Sequence, residues 1–165
     1  MTTPLEELFK HNLWANLQML YACSRLTDEQ LAAVIPGAYG SISSTLLHIV
    51  GAEEGYVARL KGQPRPPLRE EAGFTGFDDL RAAAVQSGEA LIEIAEKGSP
   101  TEFLRYISMQ GDHVELPSAV MLIQVVNHAT EHRDQINAVL THLKVDPCEL
   151  DGWAYGAANG KVKIG

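Results

Sequence analysis

Cysteine is scarce in this chain: Cys23 and Cys148 are the only two among 165 residues. They lie far apart and outside any CxxC motif, which excludes a disulfide scaffold and a paired-cysteine zinc or redox site. A reduced, cytoplasmic setting is expected. Neither cysteine has the electropositive surroundings of a reactive thiolate, so neither is a candidate nucleophile. Basic residues are also in short supply, 13 Lys and Arg against 21 Asp and Glu, for a net charge of −8. Proteins that bind phosphate backbones concentrate Lys and Arg, so nucleic acid is excluded as the main partner. The same balance disfavours anionic membranes, and no apolar run approaches the ~18–20 residues of a spanning helix. The opening MTTPLEELFKHN lacks the basic and apolar regions of a secretory signal. A composition of 45% hydrophobic and 21% charged residues is that of an ordinary folded protein, expected as one domain over 1–165.

What is present is helical periodicity. Leu5, Leu8, Phe9, Leu13, Leu17 and Leu20 form a stripe from about Pro4 to Ser24, with Pro4 suited to a first turn. TDEQLAA (27–33) reads as a short continuation behind a Thr27/Asp28 cap. A second long helix is expected from about Ser43 to Lys61, with Ser41, Ser43 and Ser44 as candidate caps and Gly62 and Pro64 as stops. The breaker-rich stretch 62–76 is expected to lack regular structure. A third helix is expected from about Phe77 to Lys97, ended by Gly98 and Pro100. FLRYISMQGDHVELP (103–117) reads as a β-hairpin about a Gly111-Asp112 turn. A fourth helix runs from Pro117-Ser118 to His142 or Leu143, and the Gly-rich tail after Pro147 is expected to be poorly ordered at its end. The expected fold is all-α: a four-helix bundle with a short β-hairpin between the third and fourth helices, the hairpin and the 62–76 loop serving as crossings.

The fourth helix carries the chemistry. Met121, Val125, His128, His132, Ile136, Val139 and Leu143 recur at steps of three and four, marking the face that should enter a core. Burying imidazole nitrogens without partners costs roughly 1–3 kcal/mol each. A spacing of i, i+4 stacks His128 over His132 and can place both rings on one divalent ion. Residue 129 is Ala, so the HExxH protease pattern is absent. An HxxxH pair alone fits hydrogen-bonded core or surface histidines equally well. His48, on the second helix among Ser44, Thr45, Ala52 and Gly55, is a third candidate with room around its ring, or else a histidine bonded to a carbonyl. His11, His113 and His142 are off the stripe, beside a turn and at a helix end, respectively. The adjacent acids Glu53-Glu54, Glu70-Glu71 and Asp78-Asp79 read as solvated or capping residues. Asn12, Asn16 and Arg133 are candidates either to line a pocket or to bond between helices.

The chain resembles the DinB-like (DinB/YfiT-like) metalloenzyme family over nearly its whole length. The matching stretches are FKHNLWANLQML (9–20), GSISSTLLHIVGAEEGYVARLKG (40–62) and YISMQGDHVELPSAVMLIQVVNHATEHRDQI (106–136). The resemblance implies that His48, His128 and His132 bind a divalent metal inside the bundle. Glu131 is a departure, since family members often carry another histidine before the last ligand. A three-histidine site leaves an open coordination position, the catalytic rather than structural arrangement. Zinc is the default, with nickel, iron or another transition metal also suited to imidazole. The resemblance further implies a small-molecule substrate and a homodimer. The activity it suggests is transfer of a low-molecular-weight thiol such as bacillithiol or mycothiol to small electrophiles. A hydrolase using bound water and a non-catalytic, metal-stabilised bundle are the alternatives.

Overall fold

Two capping residues set where the first helices begin. Thr3 accepts from the backbone of Glu6 while the Glu6 side chain returns to Thr3, and the reciprocal box opens α1, Pro4–Cys23. Thr27 and Gln30 repeat it to open α2, Asp28–Leu31. The computed structural model describes residues 2–97, 103–108 and 110–162. Ser41 caps α3, Ile42–Leu60. A single turn, α4 (Arg69–Ala72), follows, and then α5, Phe77–Glu96. The predicted stops Gly98 and Pro100 lie outside the described residues. Strands β1 (Phe103–Ile107) and β2 (His113–Pro117) pair antiparallel, with Tyr106 opposite Val114. Gly111, at φ 90°, takes the left-handed conformation their turn requires. Helix α6 spans Ser118–His142, and α7 spans Gly152–Ala158.

Helices α1, α5, α3 and α6 pack side by side in that order and close into a ring. The four-helix bundle with its interposed hairpin is therefore observed. Gly88 lets α5 approach α1 closely, since a Cβ there would meet Leu13 Cδ1 at 2.7 Å. The connections across the ring differ from expectation. Helices α3 and α5 are neighbours, so the segment between them crosses nothing. The diagonal steps are the α1–α3 connection, which contains α2, and the α5–α6 connection, which contains the hairpin.

One further expectation is corrected, and the tail holds a helix that the sequence reading did not propose. The 62–76 stretch holds the turn α4, because Arg69 within it anchors to Glu54 and Asp79. The tail holds α7, where Tyr155 is buried against His11 and Trp14 and donates to Glu7. The tail's last residues, 163–165, are outside the described set.

The core has two apolar parts. One gathers Met19, Leu20, Ile42, Leu46, Leu80 and Ile136. The other holds Phe9, Leu91, Leu122 and Val125. Burial of each such side chain contributes roughly 1.5–3 kcal/mol. Between them lies a buried polar layer. Glu53 of α3 accepts from Asn12 (2.8 Å) and Asn16 (3.1 Å) of α1 and from Ser87 (2.5 Å) of α5. Arg133 of α6 donates to the oxygens of the same two asparagines at 3.0 and 2.6 Å, and to Thr130. Asn12 and Asn16 are thus inter-helix bonding residues, and Glu53 is a buried hub, 2% exposed, instead of a solvated acid.

Candidate metal centre

The period of α6 and the position of α3 bring three histidines together. His128 and His132 project from one face of α6 towards His48 of α3. Their ligand-capable atoms all lie within 4.8 Å of one another, the only such cluster of His, Cys, Asp or Glu among the described residues. Ring centroids are 4.5–4.8 Å apart. His132 is buried, and the other two are half-buried.

Hydrogen bonds on the outer side of the cluster set two of the three rings. Glu70 accepts from His48 Nδ1 at 2.7 Å. Gln135 Oε1 accepts from His132 Nδ1 at 3.0 Å and from the backbone N–H of Tyr39 at 3.1 Å. A proton kept on Nδ1 leaves the Nε2 lone pair free, the form in which imidazole binds a metal. His48 Nε2 then lies 2.9 Å from His128 Nε2. Two nitrogens that close need a proton or a cation between them, so the donor set fits a divalent ion with N ligands.

Burial favours the neutral forms of His128 and His132. Burial, followed by the neighbouring imidazoles of His132 and His48, pushes His128 down to about 4. Burial also lowers His132, against the pull of Gln135. Burial works against ionisation of Glu70, yet the hydrogen bond from His48 holds its carboxyl below the ordinary value. Tyr39 stacks on His48 at 4.1 Å and meets His132 edge-on at 5.1 Å, while Tyr56 stands edge-on to His128 at 5.7 Å. Tyr39 and Tyr56 thus flank the cluster on two sides.

The remaining histidines stay apart. His11 Nε2 pairs with the carbonyl of Leu150 at 2.7 Å, and His113 and His142 are exposed. Glu131 is exposed on α6 and Arg133 belongs to the polar layer. Cys23 is buried, which pushes its thiol up to about 12, and Cys148 is raised by burial as well. Neither is an activated nucleophile.

Sequence reading missed Glu70, Tyr39 and Gln135. Gln135 carried a usable signal, since it lies three residues after His132 and shares its face. Glu70 and Tyr39 belong to connections, and only the fold delivers them. Among the described residues no helix is long and apolar enough to cross a membrane.

Comparison with known proteins agrees with this architecture. The DinB family model matches residues 1–160. Protein DinB of Bacillus subtilis (strain 168) is 22% identical over 142 residues, covering 81% of this chain and 83% of the relative. The crystal structure of a DinB-like protein from Bacillus cereus ATCC 10987 superposes with a TM-score of 0.65 at 16% identity. That match covers 92% of this chain and 100% of the other, and it speaks for the fold. The chain belongs to the DinB family.

Proposed function

We propose that this chain is a metal-dependent enzyme that moves a low-molecular-weight thiol onto a small electrophile. In this reading one domain over 1–165 works as a homodimer, and His48, His128 and His132 hold a divalent ion, zinc first, with nickel or iron as alternatives. The donor set carries the reading: three imidazoles within 4.8 Å, with no carboxylate or thiolate completing the group among the described residues. Three protein ligands leave room for an exogenous one, as in catalytic rather than structural zinc sites. A bound divalent ion would supply Lewis acidity that lowers the pKa of a thiol and keeps it nucleophilic at neutral pH.

The chain's own residues do the positioning. Glu70 holds the Nδ1 proton of His48 and so aims Nε2 inward, while Gln135 does the same for His132. Tyr39 covers His48 and His132, and Tyr56 borders His128. The thiol comes from outside in this reading, because neither cysteine belongs to the histidine cluster.

Metal analysis of purified wild type, His48→Ala and His132→Ala tests the ligands. Near-stoichiometric metal in wild type and its loss in both variants are expected, whereas full occupancy in both variants overturns the assignment. Consumption of a small thiol with an alkylating electrophile, before and after chelation, tests the activity. Metal-dependent loss of thiol supports transfer. Thiol-independent hydrolysis would replace it with a hydrolase, and no turnover with a large fall in Tm on chelation would leave a metal-stabilised bundle.

A further inference from the structure

The three imidazoles of the cluster can be told apart by what their other nitrogens meet. A neutral imidazole carries one proton on either of its two nitrogens, and the partner of one nitrogen dictates the state of the other. Glu70 is a carboxylate and can only accept. Its 2.7 Å contact with His48 therefore puts the proton of a neutral ring on Nδ1 and leaves Nε2 bare. Gln135 can present an oxygen or an amide NH2, and the backbone settles which. The N–H of Tyr39 donates to it at 3.1 Å, so the atom there is the oxygen. That oxygen also lies 3.0 Å from His132 Nδ1, which must carry the proton, so His132 Nε2 is bare as well.

His128 has no such outer partner. Among the described residues nothing bonds its Nδ1, and its one hydrogen-bonding contact runs from Nε2 to Nε2 of His48, at 2.9 Å. Since His48 Nε2 is bare, the proton between these two nitrogens belongs to His128. The His128 N–H thereby takes the His48 lone pair that a cation would need. His128 is also half-buried and lines an open cleft of about 410 Å³, so solvent reaches its ring. His132 does not line that cleft.

We propose that His48 and His132 are fixed ligands and that His128 is the switching one. Its proton sits on Nε2 in the metal-free protein and is carried on Nδ1 when a cation is bound. The switch balances: the N–H bond at Nε2 breaks, an N–H bond forms at Nδ1, solvent carries the proton, and the ring is neutral before and after. This deepens the metal reading and rests on it only for what displaces the proton. Two rings are aimed by the protein from outside, and loading then requires rearrangement at the third alone.

Two-bond 1H–15N correlation spectra of 15N-histidine-labelled protein read each tautomer, at about pH 8 to keep the rings neutral. Comparison with single-histidine variants assigns the signals. In metal-free protein His48 and His132 should show a protonated Nδ1, and His128 a protonated Nε2. Adding zinc should invert the His128 pattern alone. A His128 protonated at Nδ1 before zinc overturns the proposal, as does a His48 protonated at Nε2 or at both nitrogens. In metal-free Glu70→Gln, whose side chain can donate as well as accept, the His48 and His128 signals should average between tautomers. Unaltered spectra there would overturn the assignment of His48 as fixed. Zinc content of the same samples separates the two readings. Uptake with no change at His128 overturns the switch alone, whereas no uptake overturns the metal reading and the switch with it. Zinc affinity gives a second measure: His128→Ala should lose about 10- to 100-fold less than His48→Ala or His132→Ala, because it removes the ligand without an outer partner. Equal losses would overturn the distinction between fixed and switching ligands.

Discussion

His132 and Arg133 are consecutive residues of α6, yet they serve two polar clusters of opposite character. Arg133 enters a layer in which the carboxylate of Glu53 meets three donors and the guanidinium meets two amide oxygens and a hydroxyl. The amides of Asn12 and Asn16 stand between the two charges, each donating to one and accepting from the other. His132 enters a cluster in which the outer nitrogens of His48 and His132 are matched and the inner nitrogens face one another. A satisfied network holds helices in register. A cluster satisfied only from outside is arranged around something it does not itself contain. Step angle explains how neighbours can do this: successive residues diverge by about 100° on a helix, so one α6 faces both.

The contrast can be broken from either side. The largest effect is expected in the polar layer. Arg133→Ala leaves Glu53 buried without its counter-charge, and loss of one partner from such a pair costs about 3–5 kcal/mol. Urea unfolding should show it, and pairing Arg133→Met with Glu53→Leu should recover much of the loss. If the single variant proves as stable as wild type, the layer is not holding the bundle.

A smaller effect is expected at the edge of the histidine cluster. Glu70→Ala should weaken metal affinity about 10- to 100-fold by releasing His48, with a smaller loss of stability in the metal-free protein because Arg69 still anchors α4 to Glu54 and Asp79. Unchanged affinity in a competition assay with a chelating dye would deny Glu70 that role.

A third effect separates the clusters by pH, in metal-free protein. Unfolded, His128 takes up a proton near its ordinary 6.5; folded, it does so only near 4. Between those values the unfolded chain binds more protons, so this contribution is complete above 6.5 and is lost as pH falls towards 4. Stability of wild type should therefore fall more steeply over that interval than stability of His128→Ala. Parallel curves would mean that His128 is not held neutral by its surroundings.

Much of the bundle was legible because periodicity is a property of single segments. The stripe of α1, the Ser41 cap of α3 and the Gly111 turn each rest on local chemistry, and their predicted positions agree with the structure to within a residue or two. His128 and His132 were legible as a pair for the same reason. Partners across the fold were less so. Spacing places Glu53 on a helix but says nothing of the asparagines opposite, so an acid with an acidic neighbour read as solvated. Glu70 lay in a stretch full of prolines, where ordering comes from the Arg69 contacts with Glu54 and Asp79 rather than from propensity. Tyr155 similarly orders a Gly-rich tail through contacts that exist only once α1 is in place.

Helix α4 fastens a surface connection to the bundle through two successive side chains, Arg69 to α3 and α5 and Glu70 to His48. Ordering of that connection and orientation of the imidazole are consequently coupled through Glu70. A ligand that fixes His48 is expected to steady Glu70 and the turn that carries it, and release of that turn to free the ring. Deuterium uptake along 61–76 thus becomes a gauge of occupancy, readable on the outside of the molecule without touching the histidines.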